Sequence, residues 1–442
     1  MSDQTSDNAA RPESQKSGPA SGQTRRRGAG FWALWGGVGA VALVAASGGA
    51  GWVFLSKADL GRFVARRATA ALGRTVEIGS LHVTPGRWLK VEIANARLAN
   101  IPGGTGPDMV RVGHLAAEVN VSSLLHGPML VRHVAISDVY VMVERTPQRV
   151  PNWRFGKQAE AGAKPTPHPA QSGPDDRSDY PTALDVAVQK GEVIYRTAHG
   201  SEFRTTLKTV TLQTDGADKP VHLAVDGAYN NTPVTMTATM QPFSILRQTK
   251  TPYGIDMEAK SGDMTITFRG TATDPINADG IRGAVTFNSP TSRPMMQIAG
   301  LPAQQDIAVQ MSGQFEHAGD LWSVTQGQGM VKDNPMTITL MRLVEGSHGK
   351  PDHITADIAF SQLNLNEFLS HQKAASPTQT DMPLTVDPAP DPLVDAHLSV
   401  KKLSYNVLTF SNMTLAASVV PGAVVVDTLS LDYLGVNLKA SG

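Results

Sequence analysis

Residues 234–240 read VTMTATM, and this stretch predicts the fold. Valine, methionine and alanine occupy one set of alternate positions and threonine the other, so a strand here has one apolar and one polar side. The same alternation recurs at residues 264–268, 307–311, 336–340, 354–360 and 394–400. Turn-forming pairs lie between such runs, at residues 215–216, 226–227, 279–280 and 421–422. The pattern predicts a mainly β protein built of consecutive antiparallel hairpins.

The sequence offers almost no helix to cover the apolar side of these strands. Helical patterns between strands are short, at residues 122–125, 242–246 and 364–369. Roughly twenty strands with one apolar face require a covering layer. Two solutions remain open: sheets that face each other as closed sandwiches, or one long twisted antiparallel sheet curled into an open groove that holds an apolar ligand.

The apolar positions of these strands are the candidate ligand-facing residues of such a groove. Methionine is frequent among them, and its flexible thioether adapts to ligands of varied shape, although it also fills ordinary cores. The candidates are Val234, Met236, Met240, Met264, Ile266, Phe268, Ile307, Val309, Met311, Met336, Ile338 and Leu340.

Residues 31–55 contain neither charge nor proline and follow closely on Arg25, Arg26 and Arg27. A helix of this length measures about 37 Å, enough to cross a hydrocarbon core of about 30 Å with some tilt. We expect a single-pass membrane anchor, with a disordered tail of residues 1–30 in the cytoplasm. The alternative is a cleaved signal peptide with its cleavage site at residues 45–47. The predicted anchor residues are Phe31, Trp32, Trp35, Trp52, Phe54 and Leu55.

A short amphipathic helix is predicted directly after the anchor. Ser56 and Asp59 form a capping pattern, and Gly73 is placed to end the helix. The predicted apolar face consists of Leu60, Phe63, Val64, Ala68, Ala71 and Leu72, and the opposite face carries Arg62, Arg66 and Arg67. Such a helix either lies on anionic headgroups or packs its apolar side against the following sheet.

Two proline-rich segments, residues 157–183 and 372–392, are predicted linkers or insertions, because proline interrupts both helices and central strands. They divide the part of the chain after the anchor into three regions. Residues 56–156 combine the amphipathic helix with strands, residues 184–371 form the main groove region, and residues 393–442 contain further strands.

Composition excludes several classes of function. Lysine plus arginine equals aspartate plus glutamate at 39 each, which argues against nucleic acid as a partner. The chain has no cysteine, so disulfides and thiolate metal sites are impossible. No HExxH, GxSxG, Walker A or EF-hand pattern occurs. His348, Asp352 and His353 are interpreted as a polar turn, so we expect no enzyme activity, metal or cofactor.

The region after the predicted anchor resembles the AsmA family of bacterial envelope proteins. The resemblance is carried by residues 73–79, the residues 98–103 that follow a predicted strand, the turn at residues 124–127, and residues 139–145 leading to Asn152-Trp153-Arg154-Phe155. Residues 232–234, 241–243 and 270–275 also resemble that family. The likeness is specific over residues 56–156 and looser towards the C-terminus, and the proline-rich segment after Phe155 departs from it.

The resemblance implies a protein of the inner membrane whose bulk lies in the periplasm. It further implies a long hydrophobic β-groove, similar to bridge-like lipid transfer proteins, that moves phospholipid between membranes during outer-membrane biogenesis. The candidate groove residues would then face acyl chains. Members commonly continue with more strands, so the strand pattern is expected to extend beyond Gly442 or to be completed by another chain. The alternative function is a non-enzymatic scaffold or assembly factor for outer-membrane proteins, built of closed sandwiches.

Overall fold

A computed structural model of the chain describes residues 60–148, 150–153, 177–198, 200–298, 306–346, 350–368 and 388–442. The predicted anchor, residues 31–55, and the tail before it lie outside these residues, as do most of the two predicted linkers. Within the described ranges, no helix has both the length and the apolar composition needed to cross a membrane.

The described chain is mainly β, as predicted, and its strands form one long, open, curled sheet of 21 strands. The closed sandwiches considered as an alternative are not the observed architecture. The strands are β1 (Val76–Thr84), β2 (Trp88–Ala99), β3 (Asp108–Asn120), β4 (Leu130–Glu144), β5 (Thr182–Ala183), β6 (Asp185–Arg196), β7 (Glu202–Gln213), β8 (Val221–Tyr229), β9 (Thr232–Met240), β10 (Tyr253–Ser261), β11 (Met264–Asp274), β12 (Asp279–Ser289), β13 (Val309–Ala318), β14 (Leu321–Val331), β15 (Asn334–Val344), β16 (His353–Phe360), β17 (Leu363–Asn364), β18 (Leu393–Tyr405), β19 (Leu408–Val420), β20 (Ala423–Tyr433) and β21 (Val436–Ala440).

Helices are few and short in the described part of the chain. They are α1 (Leu60–Leu72), α2 (Phe243–Leu246), α3 (Arg293–Ile298) and two 3₁₀ turns, Ser122–Leu124 and Leu365–Glu367. Helix α1 ends at Gly73 as predicted, because this residue adopts φ 69° and its N–H donates to the carbonyl of Thr69 at 2.9 Å. Three of the remaining four coincide with the short helical patterns of the sequence, and α3 was not predicted.

Apart from the short β5 and β17, strands that follow one another in the chain are neighbours in the sheet, and almost all pairs are antiparallel. The prediction of a wholly antiparallel sheet is wrong at two places, since β4 pairs in parallel with β5 and β6, and β18 pairs in parallel with β16 and β17. For two strands to pair in parallel, the chain must cross back to the side of the sheet on which the first strand began before it enters the second strand. Both returns contain the proline-rich segments, and the sheet continues across them without a break.

Local backbone bends add to the ordinary twist of the sheet. Asn95, Asp138 and Lys190 all have φ between 53° and 55°, and the register places them at one level of β2, β4 and β6. No residue is inserted at this level, but a residue with positive φ interrupts the extended backbone and bends the strand locally. Asp226 and Gly227, predicted as a turn, instead lie inside β8 where the register with β7 shifts. These irregularities help to curl the sheet.

Close backbone approach in the middle of the sheet provides a test of the fold. Gly270 and Gly283 face each other across β11 and β12, and a Cβ on Gly283 would lie 2.4 Å from the carbonyl oxygen of Arg269. Gly283→Ala is expected to lower the free energy of unfolding by about 2 kcal/mol through overpacking. Gly106→Ala is the matched control, because a Cβ there meets nothing within 4 Å. Urea denaturation of the detergent-solubilised chain measures both, and equal midpoints would contradict the close approach.

Candidate functional site

One row of apolar residues, including one glycine, crosses nearly the whole sheet, and we call it the apolar row. Each member lies directly opposite the next in the strand register, so all members project from the same face. It includes every strand from β1 to β19 except the short β5 and β17. The members are Leu81, Ile93, Leu115, Ile136, Val188, Val210, Val225, Met236, Ala259, Ile266, Phe287, Met311, Gly329, Met336, Phe360, Val400 and Met413.

The opposite face of the sheet is mostly polar from β9 to β15. Residues next in sequence to these row members lie directly opposite one another and form a polar row beside the apolar one. They are Thr237, Glu258, Thr267, Thr286, Ser312, Gln328 and Thr337. Exposed ion pairs such as Arg269–Asp256 at 2.8 Å and Arg282–Glu316 at 2.7 Å lie on this polar side. Such pairs add little stability, but they keep this face in water. This part of the sheet therefore has one water-facing and one apolar side.

None of the twelve candidate groove residues is fully exposed. Met264, Phe268 and Ile338 are buried, and the other nine are partly buried. Met236, Ile266, Met311 and Met336 belong to the apolar row itself. Val234, Met240, Met264, Phe268, Ile307, Val309 and Ile338 flank it on the same face.

Leu340 is the exception. A register shift between Ile338 and Leu340 changes the alternation by one residue, so Leu340 is aligned with Thr325 and Asp357. Met341 takes the apolar position instead, opposite Val324 and Ala356. A bulge cannot be recognised in a period-two sequence pattern, so the sequence predicted Leu340 at the apolar position instead of Met341.

The first strands cover their own apolar face. Leu89, Val91, Val119 and Val131 are at most 2 % exposed, and they form a core with Ile93, Ala117 and Val134. Partly buried residues of β1, β3 and β6 and the 3₁₀ turn at Ser122–Leu124 pack around them. The part of the sheet nearest the predicted anchor is therefore a closed hydrophobic core.

The apolar row itself is only partly buried along the sheet, and among its members only Ile93 and Val400 are buried. Its members from Val210 to Met413 are partly buried, apart from Val400, which is 1 % exposed. A sealed protein core normally buries most of its side chains completely. The half-buried apolar side of these strands therefore has the character of an open groove.

One rim of this groove is closed by a small cluster that we call the plug. Phe243 and Leu246 of α2 pack with Val221 and Tyr253 at the strand ends, and with Tyr180 from the segment before β5. Arg247 Nε donates to the carbonyl of Tyr180 at 2.8 Å. Burial raises the pKa of Tyr180 to about 12. The plug thus covers the groove along β5 and the ends of β7 to β10.

A second contact joins strands that are far apart in the sheet, and we call it the clasp. Arg145, just after β4, donates from Nη2 to Glu345 Oε2 at 2.7 Å and from Nη1 to the carbonyl of Gly346 at 3.2 Å. Trp322 Nε1 donates to Glu345 Oε1 at 2.9 Å, and the Arg145 guanidinium lies 5.6 Å from the ring centre of Trp153. Since β6 to β14 lie between β4 and β15 in the sheet, the clasp exists only because the sheet curls.

Beneath the clasp lies a buried polar network centred on Glu144. Its carboxylate accepts hydrogen bonds from Asn100 Nδ2 at 2.5 Å, Thr105 Oγ1 at 2.5 Å and Thr105 N at 2.9 Å. Asn152 donates to Asn100 Oδ1 at 3.0 Å and accepts from the Glu144 N–H. Burial favours the neutral acid, but the hydrogen bonds outweigh it and lower the pKa of Glu144.

Sequence reasoning named Glu144, Arg145 and Asn152 only as part of a family resemblance, and it missed Glu345 entirely. Their contacts span up to 200 positions along the chain, and no local period encodes such a distance. Among the described residues no group of three or more acidic or histidine side chains is placed to hold a metal ion. His353 pairs with Asp395 at 2.8 Å, and Asp352 accepts from the Gly346 N–H, while His348 lies outside the described residues.

A scan against protein-family models and searches of curated proteins and of solved structures found no match to this chain. The family resemblance noted in the sequence therefore stays a prediction.

The clasp predicts energetic coupling between β4 and β15. In a double-mutant cycle of Arg145→Ala and Glu345→Ala, the coupling energy is expected to be about 1–2 kcal/mol, because both side chains are mostly buried at 18 % and 30 % exposure. The control cycle uses Asp256 and Arg269, which are 52 % and 81 % exposed and should couple by about 0.5 kcal/mol or less. Denaturation midpoints give both values, and a clasp coupling no larger than the control would show that the curl is not held there.

The network around Glu144 predicts a pH effect. A carboxyl whose pKa is lower in the folded than in the unfolded state stabilises the fold above its ordinary pKa of 4.5, and this stability is lost as the pH falls through the folded-state pKa. Glu144→Gln should lower the free energy of unfolding by about 1–3 kcal/mol at neutral pH, and this difference from the unsubstituted protein should shrink below about pH 4.5. Unfolding curves across this pH range test it against the exposed control Glu92→Gln; a pH-independent deficit would refute the ionised network.

Proposed function

We propose that this chain is a membrane-anchored lipid conduit of the AsmA type. Residues 31–55 hold it in the inner membrane, the sheet lies in the periplasm, and the groove carries phospholipid between membranes during outer-membrane biogenesis. Acyl chains lie against the apolar face from β7 onwards, and headgroups stay in water at the open rim. No catalytic step is involved.

The observation that carries this proposal is the apolar row. Soluble proteins rarely leave a large contiguous apolar surface uncovered, and such surfaces usually mark a binding site. Here the surface extends over strand after strand, and its side chains are only partly buried, while the opposite face from β9 to β15 is mostly polar. A long apolar molecule that lies across many strands would cover it.

The energetics suit movement along the groove. Each methylene removed from water contributes about 0.8 kcal/mol, so a phospholipid is held strongly overall. A step from one strand to the next exchanges apolar contacts for similar ones, for example Met236 for Ala259 or Ile266 for Phe287. Retention is therefore compatible with sliding. With a strand spacing of about 4.8 Å, the sheet measures about 85 Å along this path.

The apolar face continues to the last strand of the sheet. Leu429 and Leu431 of β20 lie opposite Ala440 and Leu438 of β21, and Leu438 is 47 % exposed. At the other end, the closed core of β1 to β4 forms a rigid base next to the predicted anchor. These features support a groove that is sealed beside the anchor and open away from it.

The family resemblance adds independent support from the sequence. The residues that carry it, including Asn100, Glu144 and Asn152, form the buried network beneath the clasp. They hold the loop between β2 and β3 against β4. A structural role for the shared residues agrees with a family whose members need the same groove and no catalytic group.

Native mass spectrometry of the detergent-solubilised full chain tests the proposal. We expect phospholipid to co-purify and to remain bound after extensive washing in a lipid-free detergent. A chain that is folded by circular dichroism and carries no phospholipid would contradict the conduit.

Two substitutions on the apolar row separate lipid binding from folding. Met236→Glu with Ile266→Glu is expected to abolish bound phospholipid, because a carboxylate cannot lie against acyl chains without a large desolvation cost. Both residues are half buried, so a folded β protein should remain. Thr235→Glu with Thr265→Glu is the matched control on the polar face, where both residues flank Lys260. Unfolding of the first variant, or lipid loss in both, would instead indicate a closed protein core.

A further inference from the structure

Helix α1 presents two chemically distinct sides. Val64, Ala68 and Leu72 are at most 6 % exposed and lie on the side that packs onto the sheet. The opposite stripe consists of Arg62, Phe63, Arg66, Arg67 and Ala70, all exposed. Spacings of three and four place these five residues on one contiguous face. The predicted packing against the sheet is confirmed for the first set.

Phe63 was predicted on the packed side and lies on the other. It is 41 % exposed and sits within the arginine stripe. The helix itself contains no acidic residue to balance the arginines. An exposed aromatic ring beside several arginines is typical of helices that rest in the headgroup layer of a membrane.

The position of α1 in the chain identifies the surface it meets. Leu60 follows Leu55, the last residue of the predicted anchor, by five positions, which span at most about 17 Å of extended chain. Any helix so tethered stays close to the bilayer surface. Arg66 and Arg67 follow Leu60 by six and seven residues, which adds at most about 10 Å along the helix, so anionic headgroups are within their reach when the helix rests on the surface.

We propose that the exposed stripe of α1 docks on anionic phospholipid headgroups, an inference that rests on the anchor in the proposed function. The guanidinium groups of Arg66 and Arg67 contact headgroup phosphates, and Phe63 inserts at the level of the glycerol backbone. Because Val64, Ala68 and Leu72 fix the helix to the sheet, docking also fixes the sheet. The first strand begins at Val76, four residues beyond the helix, so the base of the groove is held against the membrane.

The absence of cysteine allows a clean fluorescence test. Ala70→Cys, labelled with an environment-sensitive nitrobenzoxadiazole dye, reports on the stripe without replacing an arginine or Phe63. Ala284→Cys, exposed on the polar face of β12, is the control site. The full chain is reconstituted into nanodiscs of pure phosphatidylcholine, or of phosphatidylcholine and phosphatidylglycerol in equal parts.

In the anionic discs we expect the dye at residue 70 to shift its emission to the blue and to lose at least about two-thirds of its quenching by acrylamide, with reversal in high salt. Neither change should occur at residue 284. Each basic residue near an anionic surface raises the binding constant about fivefold. Arg66→Glu with Arg67→Glu should therefore weaken docking by at least about 25-fold and restore quenching of the dye. Lys401→Glu with Lys402→Glu, an exposed basic pair on β18, is the matched control and should leave protection unchanged.

Two further measurements separate this inference from the proposed function. Resistance of the chain in native membranes to alkaline extraction reports the anchor, and native mass spectrometry of the detergent-solubilised chain reports bound phospholipid. Equal quenching in both disc types, or protection that survives charge reversal, overturns the docking inference even if lipid is bound. Protection of residue 70 in a chain that carries no lipid supports docking and contradicts only the conduit. A chain that does not insert contradicts both.

Discussion

A slip of one residue between any two neighbouring strands would move the apolar side of one strand to the wet face of the sheet. The register of this protein avoids such a slip at every junction from β1 to β19, including both parallel ones. The rest of the structure depends on that constraint. One face remains apolar over the whole length, and the curl of the sheet partly shields it where no second protein layer is present.

The sheet uses different means to shield this face along its length. Beside the predicted anchor, β1 to β4 close over a core with side chains such as Val119 and Val131 at 0 % exposure. Further along, the plug covers one rim and the clasp joins β4 to β15, while the apolar row between them stays half buried. A closed base and an open, apolar middle give the molecule a surface that suits a partner of low polarity, such as the acyl chains of the proposed function.

Much of the fold follows from local pattern. Alternation in segments such as residues 234–240 predicted the strands, and short apolar runs predicted α2 and both 3₁₀ turns, because these signals depend only on neighbouring residues. The parallel returns, the bulge that replaces Leu340 by Met341, and the outward position of Phe63 were not predictable. Each depends on how distant strands pack, as does the contact between Arg145 and Glu345. The sequence therefore predicted most of the apolar face and none of the contacts that curl it.

The central claim is that hydrocarbon, and not protein, covers the apolar face. Site-specific photocrosslinking in the intact cell envelope tests this most directly, with a benzophenone side chain placed at Phe287 on the apolar row or at its neighbour Thr286 on the polar face. The account predicts phospholipid adducts at position 287 and none at position 286. Adducts at 287 that contain only protein, or equal lipid labelling at both positions, would contradict it.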